Sequence, residues 1–472
     1  MQAQKLLTCL FIVLMCTFSN ENASAQYNYW SADGIIIAGN SQIGPPQDQE
    51  LGHSSLSDTG LNAPYGICAD AYGNVYIADF DNQRVQRWAL GTNVFFGTTV
   101  VGQTGVSGSD NAHLNGPTGV AVDQAGDLFV TDYNNNRVMK YSYQNISGIA
   151  NNGQTTSSLS GTVFAGGLGF GTTSQYVNNP GGIFITKPDD TVYVAEGSDT
   201  ALAGHFTVLR FPPNSSSGTS GTIVAGGTHA HGTSATANNL NNPKGIYVDA
   251  TTRDVYIADW GYSRVQRWSE PYSGGMTVAG GSQQQIGHSD SLLDDPCGVW
   301  LDAQGNLLVT DFGNNRIMEY LPGDTSGIPV LGVTSTTGFT GNLLGQPYGI
   351  CLDSHGNLFV TDDGYIIAKE YSDSNTAVKT VKPLINNLNL YPNPNMGSFT
   401  LHSTVDVSLN GQQAFIVVMD INGKVVFSEK AVIQNGSVNK QIDMGDKIPN
   451  GVYQLQLVSG NNTAGSKFEI VR

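Results

Sequence analysis

The segment YIADFDNQRVQRW, residues 76–88, contains residue types that could perform chemistry. Asp79, Asn82 and Arg84 lie within six residues of one another, between an apolar run and an aromatic residue. A carboxylate beside a guanidinium can take part in acid–base catalysis, but the same pair can also hold a turn together. A catalytic pair is needed once in a protein, whereas a pair that holds a turn can recur in every repeat.

The pair recurs along the chain as part of a repeated unit. Six copies begin near residues 61, 114, 177, 240, 293 and 344, and each has a proline followed 15 or 16 residues later by an acidic residue. One catalytic centre does not need several copies of its residues. The pattern therefore favours a structural role, in which the aspartate accepts turn amides and the arginine binds a neighbouring carboxylate or carbonyl. Four units keep the pair with the same spacing of five residues: Asp79/Arg84, Asp132/Arg137, Asp259/Arg264 and Asp311/Arg316.

Each unit reads as short β-strands separated by turns. Val, Ile, Thr and Tyr recur in runs of four to six residues broken by Gly, Asn, Asp and Pro, which is typical of an all-β protein. Three strands, such as GICAD, VYIAD and RVQRW, are followed by a fourth in five of the units. The missing fourth strand has a match in GIIIAGN, residues 34–40, before the first unit. We expect this strand to complete the sixth unit and so to close a ring without exposed sheet edges.

The repeated phrase, P-x-G, an apolar run, D, then G-N, a second apolar run, D and N-x-R, resembles the NHL repeat of β-propeller blades. The resemblance covers about residues 34–375. It implies a six-bladed β-propeller at residues 26–375, closed by its N-terminal strand.

Function is expected where the units differ. An aromatic residue follows the repeated acid in four units, and the residue between proline and glycine also varies. If the strands run alternately up and down, both positions lie at the same end of the propeller. Aromatic side chains there could stack on sugar rings or grip a peptide, or they could pack between neighbouring blades. The candidate ligand-binding residues are Tyr65, Phe80, Tyr133, Lys244, Trp260, Phe312 and Tyr348.

Two further sets of residues could bind a cation. One aspartate begins a turn after the first strand in five units, where we expect an Asx-turn and cation binding is the alternative: Asp70, Asp123, Asp249, Asp302 and Asp353. His229 and His231 share one loop, and His53 and His288 occur in comparable GHS loops that could converge over the channel. Two ligands are too few for zinc, so solvated loop histidines are the alternative. We expect no cofactor, with Ca²⁺ or Zn²⁺ as the alternative.

The common catalytic motifs are not placed where they would work. Six-bladed propellers of related type include calcium-dependent lactonases and zinc-dependent peptide-amidating lyases, but their ligand sets do not match positions in this chain. The sequence leaves catalysis open and favours a non-catalytic binding module for a glycan or peptide. The alternative is a metal-dependent lactonase or lyase with its site in the central channel.

The first residues of the chain carry a predicted targeting signal. Residues 1–25 combine Lys5, an apolar stretch and an A-x-A site ending at Ala25, as in a secretory signal peptide. No later stretch is apolar enough to span a membrane.

The net charge of −17 excludes nucleic acid as a partner. We expect a monomer in which Cys68, Cys297 and Cys351 are small buried hydrophobes rather than a disulfide framework.

Residues 386–472 form a separate tail after a linker at residues 376–385. Alternating strands and an Asn422–Gly423 turn predict a small immunoglobulin-like β-sandwich. LYPNP, D-x-x-G-K-V-V, P-x-G-V-Y and a short basic ending, in this order, resemble the type A C-terminal sorting domain of the type IX secretion system of Bacteroidetes. The resemblance implies that the secretion machinery binds residues 386–472 and that the protein is secreted or displayed on the outer cell surface.

Overall fold

The computed structural model describes residues 34–39, 60–90, 97–149, 159–197, 206–227, 236–281, 285–338, 342–372, 385–393, 396–405, 413–419, 425–445, 448–459 and 462–471. Several predictions lie outside these residues: the signal peptide, the linker up to residue 384, the Asn422–Gly423 turn, and the histidines His53, His229 and His231.

The described part of residues 34–371 folds into six four-stranded antiparallel sheets, named blades 1 to 6 in the order of the repeats. Blade 1 contains β2 (Pro64–Ala69), β3 (Asn74–Asp79), β4 (Arg84–Ala89) and β5 (Thr98–Gly102). Blade 2 contains β6 (Pro117–Val122), β7 (Leu128–Asp132), β8 (Arg137–Tyr141) and β9 (Thr162–Gly166). Blade 3 contains β10 (Pro180–Ile185), β11 (Val192–Glu196), β12 (Val208–Phe211) and β13 (Thr222–Ala225).

The remaining three sheets follow the same plan. Blade 4 contains β14 (Pro243–Val248), β15 (Val255–Asp259), β16 (Arg264–Trp268) and β17 (Gly275–Gly280). Blade 5 contains β18 (Pro296–Leu301), β19 (Leu307–Asp311), β20 (Arg316–Tyr320) and β21 (Ile328–Gly332). Blade 6 contains β22 (Pro347–Leu352), β23 (Leu358–Asp362), β24 (Ile367–Tyr371) and β1 (Ile35–Ala38). The described helices are short: α1 (Tyr143–Ser147) and three 3₁₀ turns at Tyr133–Asn135, Trp260–Tyr262 and Phe312–Asn314.

The first strands of the blades surround a central axis, and the glycine of each P-x-G phrase explains how closely they approach. A Cβ added to Gly66 would lie 2.6 Å from the carbonyl oxygen of Thr118 in the next blade. In each following blade, a Cβ added to the corresponding glycine would likewise lie too close to a carbonyl oxygen of the next blade. The last of these glycines is Gly349 of blade 6, whose added Cβ would approach the carbonyl oxygen of Tyr65 in blade 1. Only glycine lacks the Cβ that would block this approach. The repeated glycine therefore lets the strands close into a ring.

The predicted closure by the N-terminal strand is confirmed. β1 pairs antiparallel with β24, with Ile35 opposite Glu370 and Ile36 opposite Lys369. Ala38 is buried and joins a hydrophobic cluster that also contains Leu61 of the segment before blade 1. The strand thus completes the sheet of blade 6 and contributes to the core between blades 6 and 1.

We expect deletion of residues 34–39 to lower the melting temperature by several degrees and to promote aggregation. The deletion removes the edge strand of blade 6 and exposes the unpaired backbone groups of β24. Scanning calorimetry and light scattering measure both effects. The control Ile35→Thr changes a largely exposed side chain of β1 and should leave the melt unaltered. An unchanged melt after the deletion would contradict the closure by β1.

The tail is a sandwich of two sheets, as predicted. One sheet has the order β25 (Ile385–Tyr391), β26 (Ser398–Val405) and β29 (Ser437–Asp443). The other has the order β28 (Val425–Val432), β27 (Gln413–Met419), β30 (Gly451–Ser459) and β31 (Asn462–Ile470). Side chains of both sheets meet in one hydrophobic cluster that includes Leu401, Ile416, Leu455 and Phe468. The all-β prediction, a β-propeller followed by a β-sandwich, is therefore confirmed.

Candidate functional site

The repeated aspartate–arginine pair has the structural role that its repetition indicates. In blade 1, Nε of Arg84 donates to Oδ2 of Asp79 at 2.7 Å, while Oδ1 accepts from the backbone N–H of Asn62 at 2.6 Å. Nη2 of Arg84 also donates to the carbonyl of Gly60 at 2.7 Å. Through these hydrogen bonds, the pair connects the loop that contains Gly60 and Asn62 to the turn after the second strand of the blade. Both side chains are 0% exposed, so no substrate can reach them.

Three other blades repeat this geometry, with Nε–Oδ2 distances of 2.7, 2.8 and 2.7 Å in blades 2, 4 and 5. Burial raises the pKa of Asp259 in blade 4 to about 6, against the opposing effect of Arg264. The carboxylate therefore remains charged at pH 7, where it balances the buried arginine.

Blades 3 and 6 replace the pair in two different ways. In blade 3, Glu196 accepts from the hydroxyl of Thr207 at 2.6 Å and from the backbone N–H of Asn178 at 2.8 Å, and burial raises its pKa to about 7. In blade 6, the strand position of the arginine holds Ile367, and Lys369 follows two residues later. Burial raises the pKa of Asp362 and lowers the pKa of Lys369, although the opposite charges of the two groups counteract both shifts. Lys369 thus supplies the buried cation of blade 6.

The aspartates after the first strands form Asx-turns, as expected. In blade 1, Oδ1 of Asp70 accepts from the backbone N–H groups of Tyr72 and Asn74 at 2.8 and 2.9 Å. Equivalent turn bonds are accepted in the other four units by Asp123, Asp249, Asp302 and Asp353. We call this end of the propeller the aspartate end. The opposite end, where the first strands begin and where Tyr65 and Phe80 lie, is the aromatic end.

The central channel contains a cavity of about 600 Å³ between the first strands of the six blades. At the aspartate end its lining extends beyond the strands into the turns, to Ala71, Lys187 and Ser354. Towards the aromatic end the lining stops within the first strands, at residues such as Lys244 and Tyr348. The cavity is therefore accessible from the aspartate end.

One wall of the cavity is aromatic. Phe184, Tyr247 and Trp300 occupy the same strand position in blades 3, 4 and 5, the fourth residue after the blade proline. Their ring centroids are 4.8 Å apart for Phe184–Tyr247, 5.2 Å for Tyr247–Trp300 and 5.8 Å for Phe184–Trp300. All three side chains are half-buried and line the cavity.

The opposite wall has small residues at the same position. Blades 1, 2 and 6 carry Cys68, Ala121 and Cys351 there, and the first two line the cavity. Cys297 and Cys351 are buried, as predicted, whereas Cys68 is half-buried, and burial raises the pKa of all three thiols. The contrast between the two walls leaves room beside blades 6, 1 and 2. The contrast is visible in the sequence when the units are aligned on their prolines, but the fourth residue after the proline was not among the predicted binding positions.

The mouth of the cavity is acidic. Asp70, Asp302 and Asp353 line it together with the single cation Lys187. Burial raises the pKa of Asp302, against the hydrogen bonds that it accepts from its own turn. These carboxylates are held in place by the hydrogen bonds that they accept from their own turns, and they make the mouth negatively charged.

The predicted binding residues do come together at the aromatic end. Tyr65 stacks on Tyr348 with 4.2 Å between centroids and 15° between ring planes, and Phe80 lies 4.9 Å from Tyr65. Tyr133 continues this chain of rings at 6.5 Å from Phe80, and Phe312 extends it at 6.2 Å from Tyr348. In blade 4, Nζ of Lys244 lies 5.8 Å from the ring centroid of Trp260. The stacked rings use part of their surface to contact one another, so packing between blades accounts for some of these contacts.

The described residues do not fit a catalytic calcium or zinc ion. In this part of the chain, no group of three His, Cys, Asp or Glu side chains is close enough to hold a metal ion. Nδ1 of His288 contacts the side-chain oxygen of Asn314, and the aspartates at the cavity mouth accept bonds from their own turns. We therefore derive no catalytic step through a metal.

Two family models match the chain. The secretion system C-terminal sorting domain matches residues 389–471, and the NHL repeat matches residues 114–141. The first match covers nearly all of the predicted tail, and the second covers the unit that forms the first three strands of blade 2. In the described part of the chain, every helix is too short to cross a bilayer.

Two curated proteins are similar to parts of the chain. Protein SUPPRESSOR OF QUENCHING 1, chloroplastic, of Arabidopsis thaliana is 24% identical over 282 residues, which are 54% of this chain and 24% of that protein. Peptidyl-glycine alpha-amidating monooxygenase A of Xenopus laevis is 35% identical over 111 residues, which are 21% of this chain and 12% of that protein. The chain thus spans less than a quarter of either relative.

A solved structure, a structural genomics protein of unknown function from Bacteroides thetaiotaomicron, has a TM-score of 0.52 at 15% identity. It covers 72% of this chain and 75% of its own, and the structural neighbours are β-propellers. The chain is therefore a β-propeller with an NHL repeat at residues 114–141 and a secretion system C-terminal sorting domain at residues 389–471, and the sorting domain indicates export to the cell surface or secretion.

Proposed function

We propose that this protein is an exported, non-catalytic binding module that holds part of a glycan or peptide in its central cavity. The cavity volume of about 600 Å³ lies within the roughly 300–1,000 Å³ that is typical of ligand pockets. An aromatic wall with a few fixed polar groups at the mouth is also the usual composition of such pockets.

The half-buried aromatic wall carries the proposal. Blades 6, 1 and 2 pack their first strands with Cys351, Cys68 and Ala121 at the position where blades 3 to 5 have large rings. Phe184, Tyr247 and Trp300 pack in part against hydrophobic clusters of the blades, and the remaining surface of these rings faces the cavity. Their partial exposure to the cavity leaves apolar surface that a ligand can cover.

We expect Trp300→Ala to weaken ligand binding at least about tenfold, because the substitution removes the largest ring of the cavity wall. The full-length protein is first screened on arrays of glycans and peptides. Titration calorimetry then measures the dissociation constant of the tightest-binding array compound for the wild type and the variant. Thermal melting confirms that the variant is folded, and Trp300→Phe should retain most of the affinity.

Trp260→Ala is the matched control. Trp260 is also a half-buried tryptophan, but it lies at the aromatic end beside Lys244. Full binding by this variant, together with the loss in Trp300→Ala, supports the cavity. A loss in Trp260→Ala alone would instead move the ligand site to the aromatic end.

The aromatic end is the second candidate surface in this proposal. Its half-buried rings and Lys244 form a nearly continuous band that a flat ligand could cover. The site there would consist of the residues selected from the repeat pattern: Tyr65, Phe80, Tyr133, Lys244, Trp260, Phe312 and Tyr348. We favour the cavity because its volume is in the range that is typical of ligand pockets.

A further inference from the structure

A second depression lies beside the mouth of the cavity and joins it. This groove, of about 440 Å³, is lined by turn residues of blades 1, 2 and 3. Asp70, Ala71 and Lys187 line both the groove and the cavity. A molecule that fills the cavity can therefore continue into the groove without leaving the protein surface.

An exposed ring stands at this groove. Tyr72 lines the groove, is 64% exposed and stacks on Tyr143 of α1, with 5.3 Å between centroids and 17° between ring planes. Both residues are held through their backbones, because the N–H of Tyr72 donates to Asp70 and the N–H of Tyr143 donates to Asp127, each at 2.8 Å. The stacked pair supports Tyr72 from one side and leaves most of its ring available to a ligand.

We infer that a linear, neutral oligosaccharide occupies the cavity and that its following sugar units lie in the groove. The inference rests on the proposed binding function of the cavity. Rings in the cavity and in the groove provide two stacking positions along one path, which suits a chain of similar units.

The polar groups favour a sugar over a peptide. Asp70 and Asp123 line the groove, and Asp302 and Asp353 join Asp70 at the cavity mouth, so the side chains on this path are mainly acceptors. Sugar hydroxyls supply many donors, whereas a peptide backbone offers donors and acceptors in equal number. The same carboxylates and the net charge of −17 disfavour uronic acids and sulfated sugars.

The test uses linear glucans, mannans and chitooligosaccharides of two and six units, sulfated and uronic-acid chains, and a peptide array. We expect a neutral hexasaccharide to bind the full-length protein. Tyr72→Ala should weaken hexasaccharide binding at least about fivefold and leave the matching disaccharide within about twofold, because two units fit within the cavity. Trp300→Ala should weaken both.

Two variants control for the exposed ring. Tyr72→Phe keeps the stacking surface and should bind normally, and Phe170→Ala removes a half-exposed ring of the segment between blades 2 and 3 that does not line the groove. If Trp300→Ala loses binding and Tyr72→Ala does not, the groove assignment is wrong and the cavity proposal stands. If neither variant changes the binding of a hexasaccharide, both fail. Binding of peptides only, of charged glycans only or of no oligosaccharide would each overturn the inference.

Discussion

Asp79→Ala is expected to lower the free energy of unfolding by about 3–5 kcal/mol, the usual effect of removing one partner of a buried ion pair. Arg84 would keep its charge in a fully buried position, and the backbone N–H of Asn62 and the side-chain amide of Asn82 would lose their acceptor. Urea denaturation of the wild type and the variant, analysed with a common slope, measures the difference.

Two charge-neutralising variants separate this effect from the general loss of an ion pair. Asp79→Asn removes the charge inside the protein, whereas Glu270→Gln removes the partner of Arg210 in an exposed pair. We expect a clear loss for the first and less than about 1 kcal/mol for the second. Equal effects would contradict the assignment of the aspartate–arginine pair as a buried fastening.

Removal of residues 386–472 is expected to abolish export, with the folded propeller retained in the periplasm. The sorting domain matches residues 389–471. Its hydrophobic core consists only of tail residues, while the six propeller clusters contain only residues of the blades and the segments between them. The truncated propeller therefore keeps its complete core.

Cell fractionation with immunoblotting measures the distribution of the truncated protein between periplasm, cell surface and medium. A melting curve of the retained protein shows whether it is folded. The point variant Glu429→Gln, which neutralises the exposed partner of Lys440 in the tail, is the control and should be exported normally. Surface delivery of the truncated protein at the normal level would refute the role of the tail.

Much of the fold could be predicted because the same strand pattern occurs in all six units. The spacing from proline to acid identifies the strands, and the four copies of the aspartate–arginine pair identify its role before any contact is known. The unmatched strand at residues 34–40 similarly predicts its pairing with β24, since only one unit lacks a fourth strand.

The site could be predicted only in part, because a binding site depends on what six different blades bring to one axis. The rings expected at the aromatic end do meet, but their mutual stacking follows from distances that the sequence does not contain. The aromatic wall of the cavity comes from Phe184, Tyr247 and Trp300, which read in isolation as ordinary strand residues. Lys369 likewise replaces an arginine from a shifted position, which becomes evident only when the strands are paired.

The most direct measurement is a crystal structure of the full-length protein with the oligosaccharide that binds it most tightly on the array. We predict density for a sugar unit in the central cavity against Trp300 and Tyr247, with the following units passing Lys187 towards Tyr72. Density confined to the aromatic end, over Phe80 and Trp260, with an empty cavity would contradict the central claim.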